Sequence, residues 1–230
     1  MSEWWTYSLS DFLLFSPTIY YRLFELYNAD IWPLQILALA LGAAIFGLLL
    51  SGVIWRGRAI AAVLAACWLW VAWAYLLQRY DTINWAASYF AVGFAAEAML
   101  IAWSGIIRDR LGFRSGTEAA GRMGGCIFLF ALVVYPLIGP LVGRAWAQAE
   151  VFGVAPDPTA IATLGILVAA YRPHWSLLVI PLIWCAISAA TLWTMQSPEA
   201  MVVAVAAALA LVVAAWKSLA RDQRASRAET

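Results

Sequence analysis

Charge is what this sequence has least of. Only 12% of its 230 residues are charged and 65% are hydrophobic, whereas soluble domains carry about 25% charged and about 45–50% apolar residues. That balance excludes an ordinary water-soluble domain, because so much apolar surface needs cover in water and none in lipid. A formal net charge of +1 lacks the electrostatic footprint of a nucleic-acid binder. Histidine and lysine occur once each, as His174 and Lys217. One histidine excludes a bis-histidine haem, and His174 is expected in a solvated turn. Lys217 falls at the end of the last apolar run, which excludes a Schiff-base lysine inside that helix. Cys67, Cys126 and Cys185 lie in apolar runs without CxxC spacing, so neither a disulfide framework nor a metal site is read from them. HExxH, GxSxG and P-loop patterns are missing, and no catalytic residue, cofactor or metal ligand is expected. The start is acidic where a secretory signal is basic, so targeting is expected to rest on the membrane helices.

What is there is a series of apolar runs. A spanning helix needs about 20 apolar residues, and the runs predict an all-α polytopic membrane protein of about seven transmembrane helices. The expected spans are 33–55, 59–77, 84–107, 123–142, 158–171, 175–195 and 199–216. The connections test that count. One side receives Arg56, Arg58, Arg108, Arg110, Arg114, Arg122, Arg172, Lys217, Arg221, Arg224 and Arg227; the other receives Arg22, Arg79 and Arg144. Cytoplasmic loops carry the excess of Lys and Arg, which predicts an external amino end and a cytoplasmic carboxyl end. The chain divides accordingly into an external interfacial segment (1–32), a transmembrane domain (33–216) and a cytoplasmic basic tail (217–230). The first segment is crowded with aromatics, among them Trp4, Trp5, Tyr20, Tyr21, Phe24 and Tyr27. Such residues favour the membrane–water interface, so an anchor lying on the surface is expected, with a lid over an outward cavity as the sharper alternative. Ser10 and Ser16 are expected helix caps, the latter followed by a first-turn Pro17.

Four residues are candidates for binding a solute or ion. Glu97 is mid-span in the third run, where an ionisable side chain is a functional hypothesis by default. Asp157, before Pro158, reads as the cap of a short fifth helix whose start is sunk in the membrane. Tyr135, beside the kinking Pro136 and Pro140, and Arg144 complete the set. Glu97 and Asp157 also have plain structural readings, as an interhelical hydrogen-bond donor and a helix cap.

The opening Trp4-Trp5-Thr6-Tyr7-Ser8-Leu9-Ser10-Asp11-Phe12-Leu13-Leu14-Phe15-Ser16-Pro17 and the stretch Val151-Phe152-Gly153-Val154-Ala155-Pro156-Asp157-Pro158-Thr159-Ala160 resemble a bacterial membrane family catalogued as a domain of unknown function, number 6064. The resemblance implies a multi-pass bacterial membrane protein and supplies no activity. The expected function is a small-solute or ion transporter or channel in the bacterial inner membrane, its site between Glu97 and the Tyr135–Asp157 region. The alternatives are a scaffold or accessory subunit, and a membrane enzyme acting on a lipid or quinone. The expected partners are the lipid bilayer, a small solute or ion, and either a second copy or a membrane partner protein; nucleic acid is not among them.

Overall fold

The computed structural model describes residues 15–113 and 119–228, and among them the chain is helical with no strand. Helix α1 (Pro17–Asp30) starts as its sequence dictates: Ser16 accepts the Ile19 N–H at 3.4 Å and Pro17 takes the first position. Ser10, Trp4 and Trp5 lie outside the described residues. At the end of α1 the chain turns by 89° into α2 (Leu34–Leu50). Helix α3 (Arg56–Trp70) widens into a π-helical stretch at Val71–Leu77, and α4 (Ala87–Ile101) does so at Ala102–Ile107. Helix α5 (Ala119–Leu129) passes through a π stretch at Phe130–Val134 into α6 (Tyr135–Leu141). Pro136 and Pro140 offer no N–H to the carbonyls a turn behind them, which is the physical cause of this irregularity. Three further helices follow: α7 (Pro156–Ala169), α8 (Trp175–Thr194) and α9 (Glu199–Ala228).

Five of these runs are long and apolar enough to cross a bilayer: Arg56–Thr82, Ala87–Ile107, Ala119–Leu141, Trp175–Thr194 and Glu199–Ala220. The bent pair α1 and α2 brings the number to six. The expected seven is therefore approximate, because α2 has 17 residues and α7 only 14. Helix α2 stops five residues earlier than expected, where Ser51 turns its hydroxyl back onto the Leu48 carbonyl.

Helix α7 is the centre of the bundle. Every residue from Pro156 to Val168 is buried, the pattern of a helix that is apolar all round because protein covers all its sides. Helices α5, α8 and α9 supply that cover. The approach to α5 is a backbone contact: a Cβ on Gly165 would stand 2.6 Å from the Phe128 nitrogen, and one on Gly124 would stand 2.5 Å from the Gly165 oxygen. Paired glycines let helices meet this closely, and no other residue fits.

Apart from Glu97 on α4, buried charge is sorted to the two ends of the bundle. At one end Lys217 donates to the Val168 oxygen at 3.0 Å and to Ala170, at the carboxyl end of α7. Arg56 does the same for α2, donating to Ser51, and also reaches Phe113. Cations there complement the helix dipole and satisfy carbonyls that have no partner within the helix. At the other end lie Glu150, Asp157 and Glu199, all at 3% exposure or less. These are called the basic and acidic ends below.

Candidate functional site

The acidic end is built on the break before α7. Asp157 was expected to cap this helix and does not: the cap is Ala155, in extended conformation, and Asp157 lies inside the first turn. Pro156 takes the first helical position, because it has no N–H to satisfy there and its fixed φ suits the turn. The Asp157 carboxylate is thereby free to face neighbouring helices. It accepts Trp184 Nε1–H at 2.8 Å on one oxygen, and Ser188 O–H at 2.6 Å and Tyr135 O–H at 3.1 Å on the other. Trp184 and Ser188 are four residues apart on α8 and so share one face.

The connection leading to α7 is fixed from several directions. Gly153 has φ +81°, a conformation open to glycine, and its N–H reaches the Thr159 hydroxyl at 2.9 Å. Tyr27 of α1 donates to the Val154 oxygen at 3.0 Å, and Asn28 donates to Ala147 and Ala149 at 2.8 and 2.9 Å. Of the four α1 aromatics, Tyr20, Phe24 and Tyr27 turn inward and Tyr21 is half-buried. Phe24 stacks on Tyr75 at 4.8 Å between ring centroids. This geometry packs α1 against the acidic end.

Glu150 lies in this connection, 3% exposed, and among the described residues neither of its carboxyl oxygens has a hydrogen-bond partner. Tyr20, Tyr21, Tyr75 and Tyr135 stand within electrostatic range of both Glu150 and Asp157, and the Tyr75 hydroxyl is also unpartnered. Burial pushes the Glu150 carboxyl up from 4.5 to about 8, with the Asp157 charge acting in the same direction and Arg144 opposing both. A carboxyl with a raised folded value keeps its proton while the unfolded chain loses it. Stability should therefore decline as pH rises from about 4.5 to about 8, and level off outside that window. In a Glu150→Gln variant the decline should be visibly shallower by thermal melting in detergent. Identical slopes for the two proteins would show that Glu150 does not hold its proton.

Arg144 belongs to a different cluster from the one expected. It pairs with Glu199 at the start of α9, and its guanidinium lies 4.1 Å from the Tyr21 ring centroid. Tyr21 in turn donates to Ser197 at 3.0 Å and to Glu199 at 3.2 Å. The guanidinium also lies against Gly139, where an added Cβ would stand 2.6 Å from Nη2. Helices α1, α6 and α9 are thus clasped beside Glu150.

Glu97 is apart from both clusters. It is 0% exposed on α4 and both its oxygens lack a partner among the described residues. Between it and Asp157 stands an aromatic layer: Phe94, one turn before Glu97, lies 4.3 Å from Trp68 and 5.0 Å from Trp184, whose N–H reaches Asp157. Among the described residues no group of three His, Cys, Asp or Glu side chains is placed to hold a metal ion. Cys67 and Cys185 are buried and Cys126 is exposed, all as free thiols. His174 is half-buried rather than solvated, and burial pushes its imidazole down from the ordinary value.

The comparisons with known proteins give a family and no activity. The model of a family of unknown function, DUF6064, matches residues 17–225. The chain belongs to this family. No curated protein and no solved structure matches it. The family match spans every element that builds the acidic end, from α1 to α9.

Of the expected site residues, the fold brings together Tyr135 and Asp157, gives Arg144 to Glu199, and leaves Glu97 behind the aromatic layer. Glu150, Trp184, Ser188 and Glu199 were not singled out from the sequence, and Tyr21 was named only among the aromatics of the first segment. The signal for Glu150 was its place next to the apolar Val151-Phe152; for Trp184 and Ser188 it was their four-residue spacing within one run.

Proposed function

We propose that this chain is a multi-pass membrane carrier or channel for a proton or a small cation, with Glu150 and Asp157 as its site and Glu97 as a second station. The observation that carries the reading is Glu150: a carboxyl group removed from water, with neither oxygen bonded among the described residues, in electrostatic range of a second buried acid, Asp157. Buried polar atoms in folded proteins find partners, and one without them marks a place for water, a proton or an ion. Two carboxyls that share a site cannot both ionise without a cation or a proton between them. Glu97 repeats the condition on the far side of the Trp68–Phe94–Trp184 layer.

The membrane reading is supported by the five long apolar helices. The eleven-to-three partition of basic residues favours an inner membrane placement with the amino end outside and the carboxyl end in the cytoplasm. In that orientation the acidic end faces outward under α1, and Lys217 marks the cytoplasmic end.

Liposomes holding the purified chain and an internal pH dye test the proposal. Under an imposed potential, proton or sodium gradients should drive flux above that of empty liposomes. Glu150→Gln and Glu97→Gln should each lower it at least tenfold. A chain that folds but passes neither ion, with both variants indistinguishable from wild type, would instead be a scaffold whose carboxyls only join helices.

A further inference from the structure

The α5–α7 glycine contact sinks α5 into the bundle and leaves a groove on each side of it. On one side, between α5 and α9, Met123, Ile127 and Phe130 face Val202, Val205 and Leu209 across about 570 Å³. On the other, between α2 and α5, Phe46, Leu49, Leu50, Gly121, Arg122 and Leu129 bound about 440 Å³. Cys126 borders both grooves, so the two are separated by the width of one helix. Each volume is within the range of about 300–1,000 Å³ typical of ligand sites. The first groove is lined by apolar side chains and the second adds one cation, Arg122. Arg122 is exposed, and among the described residues it is engaged by neither an ion pair nor a hydrogen bond. The nearby Arg56, by contrast, is committed to backbone carbonyls.

We propose that α5 seats a diacyl anionic phospholipid, with one acyl chain in each groove and the phosphate at Arg122. The inference rests on the membrane reading above and is independent of transport. The occupant follows from the charge and the pairing. Two parallel apolar grooves astride one helix match two hydrocarbon chains joined at one headgroup, and the Arg122 guanidinium bordering the second groove matches a phosphate. A single-chain lipid fills one groove only, and a zwitterionic headgroup carries no net charge for Arg122 to attract.

Native mass spectrometry of the full chain, with dioleoyl phosphatidylglycerol and dioleoyl phosphatidylcholine offered in equal amounts, reads this directly. Phosphatidylglycerol should be retained in preference, and Arg122→Gln should lower its retention about fivefold and abolish the preference. Val205→Trp, at a 58% exposed position that tolerates a larger side chain, should fill one groove and weaken both lipids. Equal retention of the two lipids by wild type overturns the proposal. So does lysophosphatidylglycerol binding as tightly as the diacyl form, or a lipid-free dimer formed through the open Gly121–Gly125 face. Ion flux without lipid preference would sink this proposal and leave the carrier reading standing; lipid preference without flux would do the reverse.

Discussion

Asp157→Ala should unfold much of the protein, whereas Asp157→Asn should fold and lose the ion flux proposed above. Alanine removes the acceptor for three buried donors at once: Trp184 Nε1–H, Ser188 O–H and Tyr135 O–H. A buried donor left without a partner costs about 1–3 kcal/mol. The two hydroxyls can turn toward each other and the indole cannot, which puts the total at about 3–5 kcal/mol, a large part of a typical stability of about 5–15 kcal/mol. Asparagine keeps an acceptor oxygen for the indole, and its NH₂ can donate to the rotated hydroxyls, so its stability cost should be near 1 kcal/mol. It cannot take up or release a proton. Thermal melting in nanodiscs separates the first pair of expectations, and liposome flux tests the second. An Asp157→Asn protein with full flux would remove Asp157 from the site and leave it as a joint between α6, α7 and α8.

The second large effect lies at Gly165, far along α7 from the carboxylates. Even the methyl of Gly165→Ala would stand 2.6 Å from the Phe128 nitrogen, 2.8 Å from the Gly124 oxygen and 3.1 Å from the Phe128 Cα. These are backbone atoms and no rotamer relieves them, so α5 and α7 must part. Overpacking of this kind costs about 1–3 kcal/mol and occasionally more. For Gly165→Val we expect a loss above about 3 kcal/mol and a melting temperature too low to measure flux. Gly125→Ala is the control: its Cβ meets nothing within 4 Å, and the higher helix propensity of alanine should leave stability unchanged or raise it by up to about 1 kcal/mol. A Gly165→Val protein as stable as Gly125→Ala would mean that α5 and α7 do not touch as described.

Much of the architecture was legible in the sequence because lipid imposes a simple rule. A run of about 20 apolar residues is a spanning helix almost whatever its details; the run 175–195 coincides closely with α8, and 199–216 gives the start of α9, which continues to Ala228. Ser16-Pro17 announced the start of α1 by local chemistry alone. The fifth run was harder. Asp157-Pro158 carries a capping signal, yet Pro156 competes for the same first position, and local sequence does not say which proline wins. The outcome is tied to Trp184, Ser188 and Tyr135, which hold the carboxylate away from the helix end from 22 to 31 residues distant. Arg144 and Glu199 are 55 residues apart, and nothing local pairs them. Glu97 was visible because an acid in a long apolar run stands out. Glu150 was hidden because it sits in a connection, where carboxylates are ordinarily solvated, and only the tertiary packing around it removes the water.

The wrapping of α7 also bears on the order in which the protein can be assembled. Its faces are covered by α5, which precedes it, and by α8 and α9, which follow. A nascent chain that has reached Ala169 holds a 14-residue helix with one side covered and the amino-terminal carboxylate of Asp157 still without Trp184 and Ser188. The carboxyl-terminal carbonyls of that helix wait longer, until Lys217 has been made. The middle of the chain is thus completed by helices made after it.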